Sequence, residues 1–308
     1  MDKVSKQILI YGGTGFYGRK VVEKLLLKGH SVKVVSRNEI NARKILGDKI
    51  EIFEGDVTNH KDIVDSLQNA NSIIICLSAM SRKLFRKMKQ IERDAVLMIM
   101  AEAKKAGISR LVYMSGYEMR EQLLHDLRIP EFGKIKIEIE SKITQSDFNW
   151  TILGDAPAFE IFFTFIRNGR MAVPGGGTNA IPSISAEDIG EITAQTVMRN
   201  DLNGKRIKLT SPQAYSFPEV AKKITVMSGR EIKHVTIPLI IINIFSFLLY
   251  PFNPFFRFIY KSLKLLNNFP IDLAESVQTD HKVLRELFDY EPVTLEMEIK
   301  NRIAENRL

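Results

Sequence analysis

The sequence predicts an α/β fold, a doubly wound parallel sheet with a smaller C-terminal α+β lobe, on three observations. Strand-like and helix-like segments alternate from Gln7 to Leu153, and such alternation closes through right-handed crossovers into a parallel sheet with helices on both faces. The run Ser72–Leu77 is almost wholly apolar, as a strand covered on both faces must be. Glycines stand at 12, 15 and 18, between the first apolar run and the first amphipathic segment. Together these describe a Rossmann-type unit.

Each element has its own warrant. Gln7–Tyr11 is a short apolar strand that ends at glycines. From Phe16 to Lys28 the residues Val21, Val22, Leu25 and Leu26 share one helical side, and Gly29 is the stop. Val32–Ser36 is β-branched, a polar helix follows to Leu46, Ile50–Glu54 is a third strand and Asp62–Leu67 a short helix. Leu84, Met88, Ile91, Ala95, Met98, Ile99 and Ala106 keep a helical period, which predicts one long helix ended by Gly107. Arg110–Met114 and Trp150–Leu153 are strands on either side of a helix from Pro130 to about Ser146.

Past residue 155 the alternation loosens. Pro174-Gly-Gly-Gly177 reads as a flexible loop, Ser185–Met198 as a helix started by Ser185 and Asp188, and Arg206–Thr210 as a strand. Ser216 and Glu219 form a capping-box start for a helix to Ser228. The division expected is a nucleotide-binding core over residues 1–155 and a substrate or interaction lobe over residues 156–308, interleaved with the core and containing the apolar segment 235–260.

The glycine turn carries chemistry. Gly12 permits the sharp turn, Gly15 lets a diphosphate approach the backbone, and Gly18 lets the helix pack close to the sheet. Around them Thr14, Phe16, Tyr17 and Arg19 start the helix, whose N-terminal amides and dipole favour an anion. At the end of the second strand, where an acidic residue would hold the ribose hydroxyls of NAD, stands Arg37. A guanidinium there suits a 2′-phosphate, so NADP(H) is the cofactor expected, with Glu39 keeping NAD(H) open. The remaining strand ends complete a ligand rim at Asp56, Ser78–Met80 (Ala79 among them), Ser115 and Gly154–Pro157.

The ordered series Gly-Gly-Thr-Gly-Phe-Tyr-Gly-Arg19, Ser-Arg-Asn38, Gly-Asp-Val57, Ala-Gly-Ile-Ser-Arg-Leu-Val-Tyr-Met-Ser115 and Phe-Asn-Trp-Thr-Ile-Leu153 resembles the atypical short-chain dehydrogenases/reductases, the NmrA-like branch above all, over about residues 5–235. The resemblance implies NADP(H) binding through the glycine turn and Arg37, adenine contacts from Asp56 and Val57, and an active-site serine at Ser115. Extended members carry Tyr-x-x-x-Lys on the helix after the fifth strand, where the lysine lowers the tyrosine's pKa for general acid/base work. Here that helix holds no tyrosine, and Glu138 stands four before Lys142. Some NmrA-like reductases use a lysine on this helix instead, and counting back from Trp150 that position is Lys136. Tyr117 is a second candidate. Against both stands an exposed helix laced by the pairs Lys134–Glu138 and Lys136–Glu140. The family's Arg-Pro after Thr-Ile-Leu is replaced by Gly154-Asp155-Ala156-Pro157.

Composition bounds the rest. Of 308 residues 45% are apolar and 26% charged, with a net charge of +8, an ordinary globular balance tilted toward anionic partners. The single cysteine, Cys76, lies in an apolar run and reads as a buried, inert thiol, and the five histidines show no metal-ligand spacing. The chain enters a strand directly after Met-Asp-Lys-Val-Ser-Lys6, which leaves no room for a targeting segment and makes cytoplasmic residence the default. Arg82, Lys83, Arg86, Lys87 and Lys89 form a basic cluster, but no nucleic-acid reading motif accompanies it. Val235–Phe256 lacks charge for 22 residues. Its prolines 238, 251 and 254 confine a helix to Leu239–Tyr250, about 18 Å against a ~30 Å bilayer core. That segment suits a cover for the substrate cleft, a dimer contact, or a peripheral membrane contact. The expected function is NADP(H)-dependent reduction of an apolar carbonyl, enone or quinone-like molecule by a monomer or homodimer. The alternative is a non-catalytic NADP(H)-binding sensor or assembly factor.

Overall fold

A computed structural model describes residues 7–126 and 130–308. Residues 1–6, on which the reading of the chain start rests, lie outside the described residues.

Nearly continuous apolar runs, buried on both faces, supply the central strands of the sheet. Its strands are β1 (Gln7–Tyr11), β2 (Ser31–Ser36), β3 (Glu51–Glu54), β4 (Ala70–Ile75), β5 (Arg110–Gly116) and β6 (Asn149–Asp155). Three strands follow, β7 (Ile166–Arg167), β8 (Arg170–Pro174) and β9 (Lys205–Leu209), and then β10 (Lys233–Ile237). The main sheet has the order β3-β2-β1-β4-β5-β6-β9 and is parallel throughout. β9 therefore joins the main sheet from beyond residue 155, while β10, β8 and β7 make a separate small sheet.

Helices cover both faces. The first six are α1 (Gly18–Leu27), α2 (Glu39–Leu46), α3 (His60–Ser66), α4 (Ala95–Lys105), α5 (Glu121–Asp126) and α6 (Pro130–Thr144). On the C-terminal side come α7 (Glu160–Phe163), α8 (Ala186–Val197), α9 (Phe217–Ser228), α10 (Leu239–Leu249) and α11 (Phe255–Asn267). The last three are α12 (Ile271–Glu275), α13 (Val277–Leu287) and α14 (Leu295–Ala304). Alternation sorts the core. Ile8, Ile10, Val112 and Met114 pack under α1 and α8, while Leu9, Tyr11, Leu111 and Tyr113 pack under α4 and α6. The carboxyl ends of β1, β2, β4, β5 and β6 consequently share one edge, where a doubly wound sheet binds its ligand.

Three expectations need correction. The segment Leu84–Ala106 is not one α-helix: Phe85–Lys87 is a 3₁₀ turn and Lys89–Asp94 is π-helical before α4 begins. The wider turn lets the consecutive residues Ile91 and Glu92 both face inward, and Glu92 then accepts a hydrogen bond from the Ala79 amide at 2.6 Å. The Gly175–Gly177 loop is a packed turn. All three glycines have positive φ, and the Asn267 side chain fills their concavity, accepting from the Gly177 amide at 2.9 Å and donating to the Pro174 carbonyl at 2.8 Å. The pairs expected on α6 do not form: Glu138 binds Arg93 and Glu140 binds Arg206, which leaves Lys136 to turn inward. The capping box of α9 is present as expected.

Candidate active site

The glycine turn is shaped by steric exclusion. A side-chain carbon on Gly12 would lie 2.5 Å from the Cys76 carbonyl, and one on Gly18 would lie 2.2 Å from the Gly12 carbonyl. On Gly15 the same atom would meet only the Gly12 oxygen, at 3.0 Å, so Gly15 faces open space. No side chain caps α1; the Arg19 and Lys20 amides donate to the Gly15 and Tyr17 carbonyls, so the amides open to an anion are those of the turn just before them. The turn is fastened from behind by Tyr17, whose hydroxyl accepts from the Ala158 amide at 3.2 Å.

A groove of 520 Å³ runs from this turn across the ends of β2 and β4. Of the residues singled out from the sequence, Gly12, Thr14, Gly15, Phe16, Tyr17, Gly18, Arg37, Asp56, Val57 and Ser78 line it. Arg19 lies outside the groove, its guanidinium 5.3 Å from the Phe16 ring, and Ala79 is fully buried with its amide spent on Glu92. The far end of the groove is basic. Burial would raise the Asp56 carboxyl, but the bonds from Thr58 and the charges of Arg37 and Lys87 outweigh it and hold the pKa below the usual range. Arg37 sits directly before Asn38, which caps α2 by accepting from the Asn41 amide at 2.7 Å. Glu39 is turned away, its carboxylate gripping Arg43 at 2.6 and 2.9 Å. Lys87 is a groove residue that charge counting along the sequence could not assign.

A family model described as the NmrA-like family matches residues 4–297. The chain belongs to the NmrA-like family. It is 23% identical over 296 residues to the photosystem II assembly factor Ycf39 of Trieres chinensis, covering 92% of this chain and 91% of that protein. To the NAD(P)H azoreductase of Xenophilus azovorans it is 22% identical over 236 residues, 75% of this chain and 77% of that one. The crystal structure of the NADPH-dependent quinone oxidoreductase QOR2 of Escherichia coli complexed with NADPH superposes with a TM-score of 0.71 at 18% identity, covering 96% of this chain and 99% of that one.

Beside the groove, this NmrA-like chain gathers titratable groups at the ends of β4, β5 and β6. Lys136 of α6 is 6% exposed. Its Nζ lies 3.7 Å from a Glu92 oxygen, 3.4 Å from the Met114 carbonyl and 5.0 Å from the centre of the Tyr113 ring. Burial works against its charge, yet Tyr113 and Glu92 outweigh burial, and its pKa stands above the ordinary lysine value. Glu92 is 1% exposed, and burial raises its carboxyl against the pull of Lys136 and the Ala79 amide. Asp155 closes β6. Burial pushes its carboxyl up to about 7, although Lys136 and Arg206 both favour the ionised form.

Ser115 is buried, and its Oγ is among the described side-chain atoms that find no hydrogen-bond partner. Such an atom is costly unless something else meets it. Cys76 is half-buried on the groove wall rather than wholly enclosed. Burial lifts its thiol to about 12, and the nearby Asp155 adds to the effect, so it stays protonated and inert. Tyr117 is drawn off to the opposite side of the sheet. Its hydroxyl donates to Asp280 at 2.5 Å, and burial together with that carboxylate raises its pKa. Gly154 makes room for Arg206, which donates to the Gly116 and Tyr117 carbonyls and fixes the ends of β5 and β6.

Sequence reasoning missed the inward-facing Glu92 and the raised pKa of Asp155. The first is hidden by the π-helical turn, which no periodicity announces. The second had a signal, the replacement of Arg-Pro by Gly154-Asp155, but burial decided its chemistry.

Proposed function

We propose that this protein binds NADP(H) along the groove and reduces an apolar carbonyl, enone or quinone-like molecule. The observation that carries the reading is the continuity of three features along one sheet edge. These are a glycine cradle that excludes side chains, a basic end at Arg37 and Lys87, and, toward the ends of β5 and β6, the buried Lys136 and Ser115 with the half-buried Asp155. The diphosphate would rest on the amides of the turn just before α1, and the 2′-phosphate would meet Arg37. NADPH rather than NADH is favoured because Glu39, the one acidic candidate for ribose hydroxyls, is bound to Arg43.

Bound NADPH would supply a hydride to the acceptor, which takes up one proton to become the alcohol, the saturated ketone or the hydroquinone, leaving NADP⁺. In this reading Lys136 keeps its proton and acts as a fixed positive charge that polarises the acceptor oxygen. Asp155, with a pKa near neutrality, is the proton donor of suitable strength. Ser115 offers its unspent hydroxyl to the same oxygen. Phe258 of α11 meets Phe132 of α6 edge-to-face with ring centres 6.3 Å apart, and the Phe132 ring centre lies 5.9 Å from the Lys136 ammonium, so α11 serves as an apolar cover on the acceptor side.

A second reading, a non-catalytic NADP(H)-binding sensor or assembly factor, is favoured by the similarity to the photosystem II assembly factor across 92% of the chain. It is favoured too by the burial of Ser115 and Lys136, neither of which lines the groove. NADPH oxidation against a panel of quinones, aldehydes and enones separates the two. Turnover with an apolar acceptor supports the reductase. Tight NADPH binding with no turnover across the panel supports the second reading.

A further inference from the structure

The basic cluster and the apolar segment, far apart in sequence, meet in space. Arg86 donates to the Phe252 carbonyl at 2.7 Å, Asn253 donates to the Arg82 carbonyl at 3.0 Å, and the Arg82 guanidinium lies 5.3 Å from the Phe256 ring. Phe85 packs on Phe255 and Phe258. The hairpin of α10 and α11 is thereby seated beside five exposed cations between Arg82 and Lys89.

The polarity of α10 is inverted for a helix in water. Its two polar side chains, Asn243 and Ser246, point toward α11, where both meet the Arg257 guanidinium. Its outer side presents Ile240, Ile244, Phe245, Phe247 and Leu248, and the following turn adds Phe252. Phe247 is 71% exposed and Phe252 74%. Contiguous apolar surface of this kind marks a contact site.

We infer that the α10–α11 hairpin is a membrane-interface anchor that lays its apolar side into the headgroup region of an anionic phospholipid bilayer, with the Arg82 and Lys83 cations on the phosphates. Charge selects this occupant. A second copy of the chain would bring one basic cluster toward another, whereas an anionic surface complements it. Length agrees as well. α10 extends about 16 Å, and no helix among the described residues is long and apolar enough to cross a membrane, so the hairpin lies in the interface plane. The inference stands whether or not the protein is a reductase.

The test is flotation of the full-length protein with vesicles of phosphatidylcholine, with and without phosphatidylglycerol. Two variants accompany it, Ile244→Asp with Phe247→Asp on the apolar side and Arg82→Glu with Lys83→Glu on the basic side. Thermal melting and NADPH calorimetry show that each variant is folded. The protein is expected to float with phosphatidylglycerol vesicles and at least tenfold more weakly without that lipid, and to be released by high salt. Each variant is expected to lose binding at least tenfold, given roughly fivefold per cation near the surface. Failure of the wild-type protein to float with the anionic vesicles overturns the inference. So does flotation of both variants at the wild-type level. A wild-type dimer in sedimentation that becomes monomeric only in the apolar-side variant, without flotation, assigns the surface to self-association and likewise overturns it.

Discussion

The Lys136 ammonium and the Glu92 carboxylate lie 3.7 Å apart in the protein interior, joining α6 to the π-helical turn before α4. Glu92 in turn holds the Ala79 amide at the end of β4. Breaking a buried pair from one side strands the other charge, typically at about 3–5 kcal/mol. Lys136→Met is therefore expected to lower the thermal midpoint sharply. The double variant Glu92→Gln with Lys136→Met, which removes both charges and keeps an acceptor for Ala79, is expected to regain most of that loss. If Lys136 polarises the acceptor, turnover stays lost in the stable double variant, and NADPH oxidation measured on it separates stability from chemistry.

Gly15 and Gly18 are expected to fail differently. The carbon added by Gly18→Ala would press on the Gly12 backbone at 2.2 Å, where neither partner can yield, and overpacking of this kind costs about 1–3 kcal/mol. Gly15→Ala meets only one oxygen, at 3.0 Å, and otherwise projects into the groove. It is expected to keep the fold and weaken NADPH at least tenfold. Melting curves and nucleotide titration on the two variants check the contrast.

The proton-donor role proposed for Asp155 predicts a pH dependence. A proton donor works only while protonated, and burial places this carboxyl at about 7. The reductase rate is expected to fall as pH rises through that value. Asp155→Asn is expected to flatten this limb and to lower kcat on the order of 10²- to 10⁴-fold, while NADPH affinity stays near wild type. An unaltered pH profile in the variant removes Asp155 from the reaction.

Asp188, near the start of α8, gives an independent test of stability. Both its oxygens accept from the Val293 amide, at 3.1 and 3.2 Å, yet burial carries its pKa from 3.8 up to about 7. The folded state thus binds more protons than the unfolded chain between those two values, and stability declines as pH rises through that window. Asp188→Asn is expected to remove this part of the decline, leaving the variant no less stable than wild type at pH 8 and closer to it near pH 4. Urea titrations at the two pH values measure the difference.

The sheet was legible because each of its first six strands carries its own signal, β-branched or apolar runs closed by glycine or polar residues. The groove was legible for the same reason, since Gly12, Gly15, Gly18, Arg37 and Asp56 sit at strand ends whose order the alternation dictates. What escaped depends on contacts distant in sequence. The inward turn of Lys136 follows from Glu138 and Glu140 being claimed by Arg93 and Arg206, and no spacing on α6 reveals those partners. The withdrawal of Tyr117 follows from Asp280 on α13, 163 positions away. The burial of Glu92 depends on a π-helical turn that interrupts an otherwise regular period. Packing of the Gly175–Gly177 turn required Asn267, a residue with no local sign of that role.

Calorimetry of NADPH and NADH with the wild-type protein and with Arg37→Ala bears most directly on the nucleotide site. Charge-assisted hydrogen bonds to the 2′-phosphate contribute about 1.5–3 kcal/mol, which corresponds to roughly 10- to 150-fold in affinity. The wild-type protein is expected to bind NADPH at least tenfold more tightly than NADH, and Arg37→Ala to erase that preference while leaving NADH affinity unchanged. Absence of binding for both nucleotides would contradict the assignment of the groove, and equal wild-type affinities would contradict the role given to Arg37.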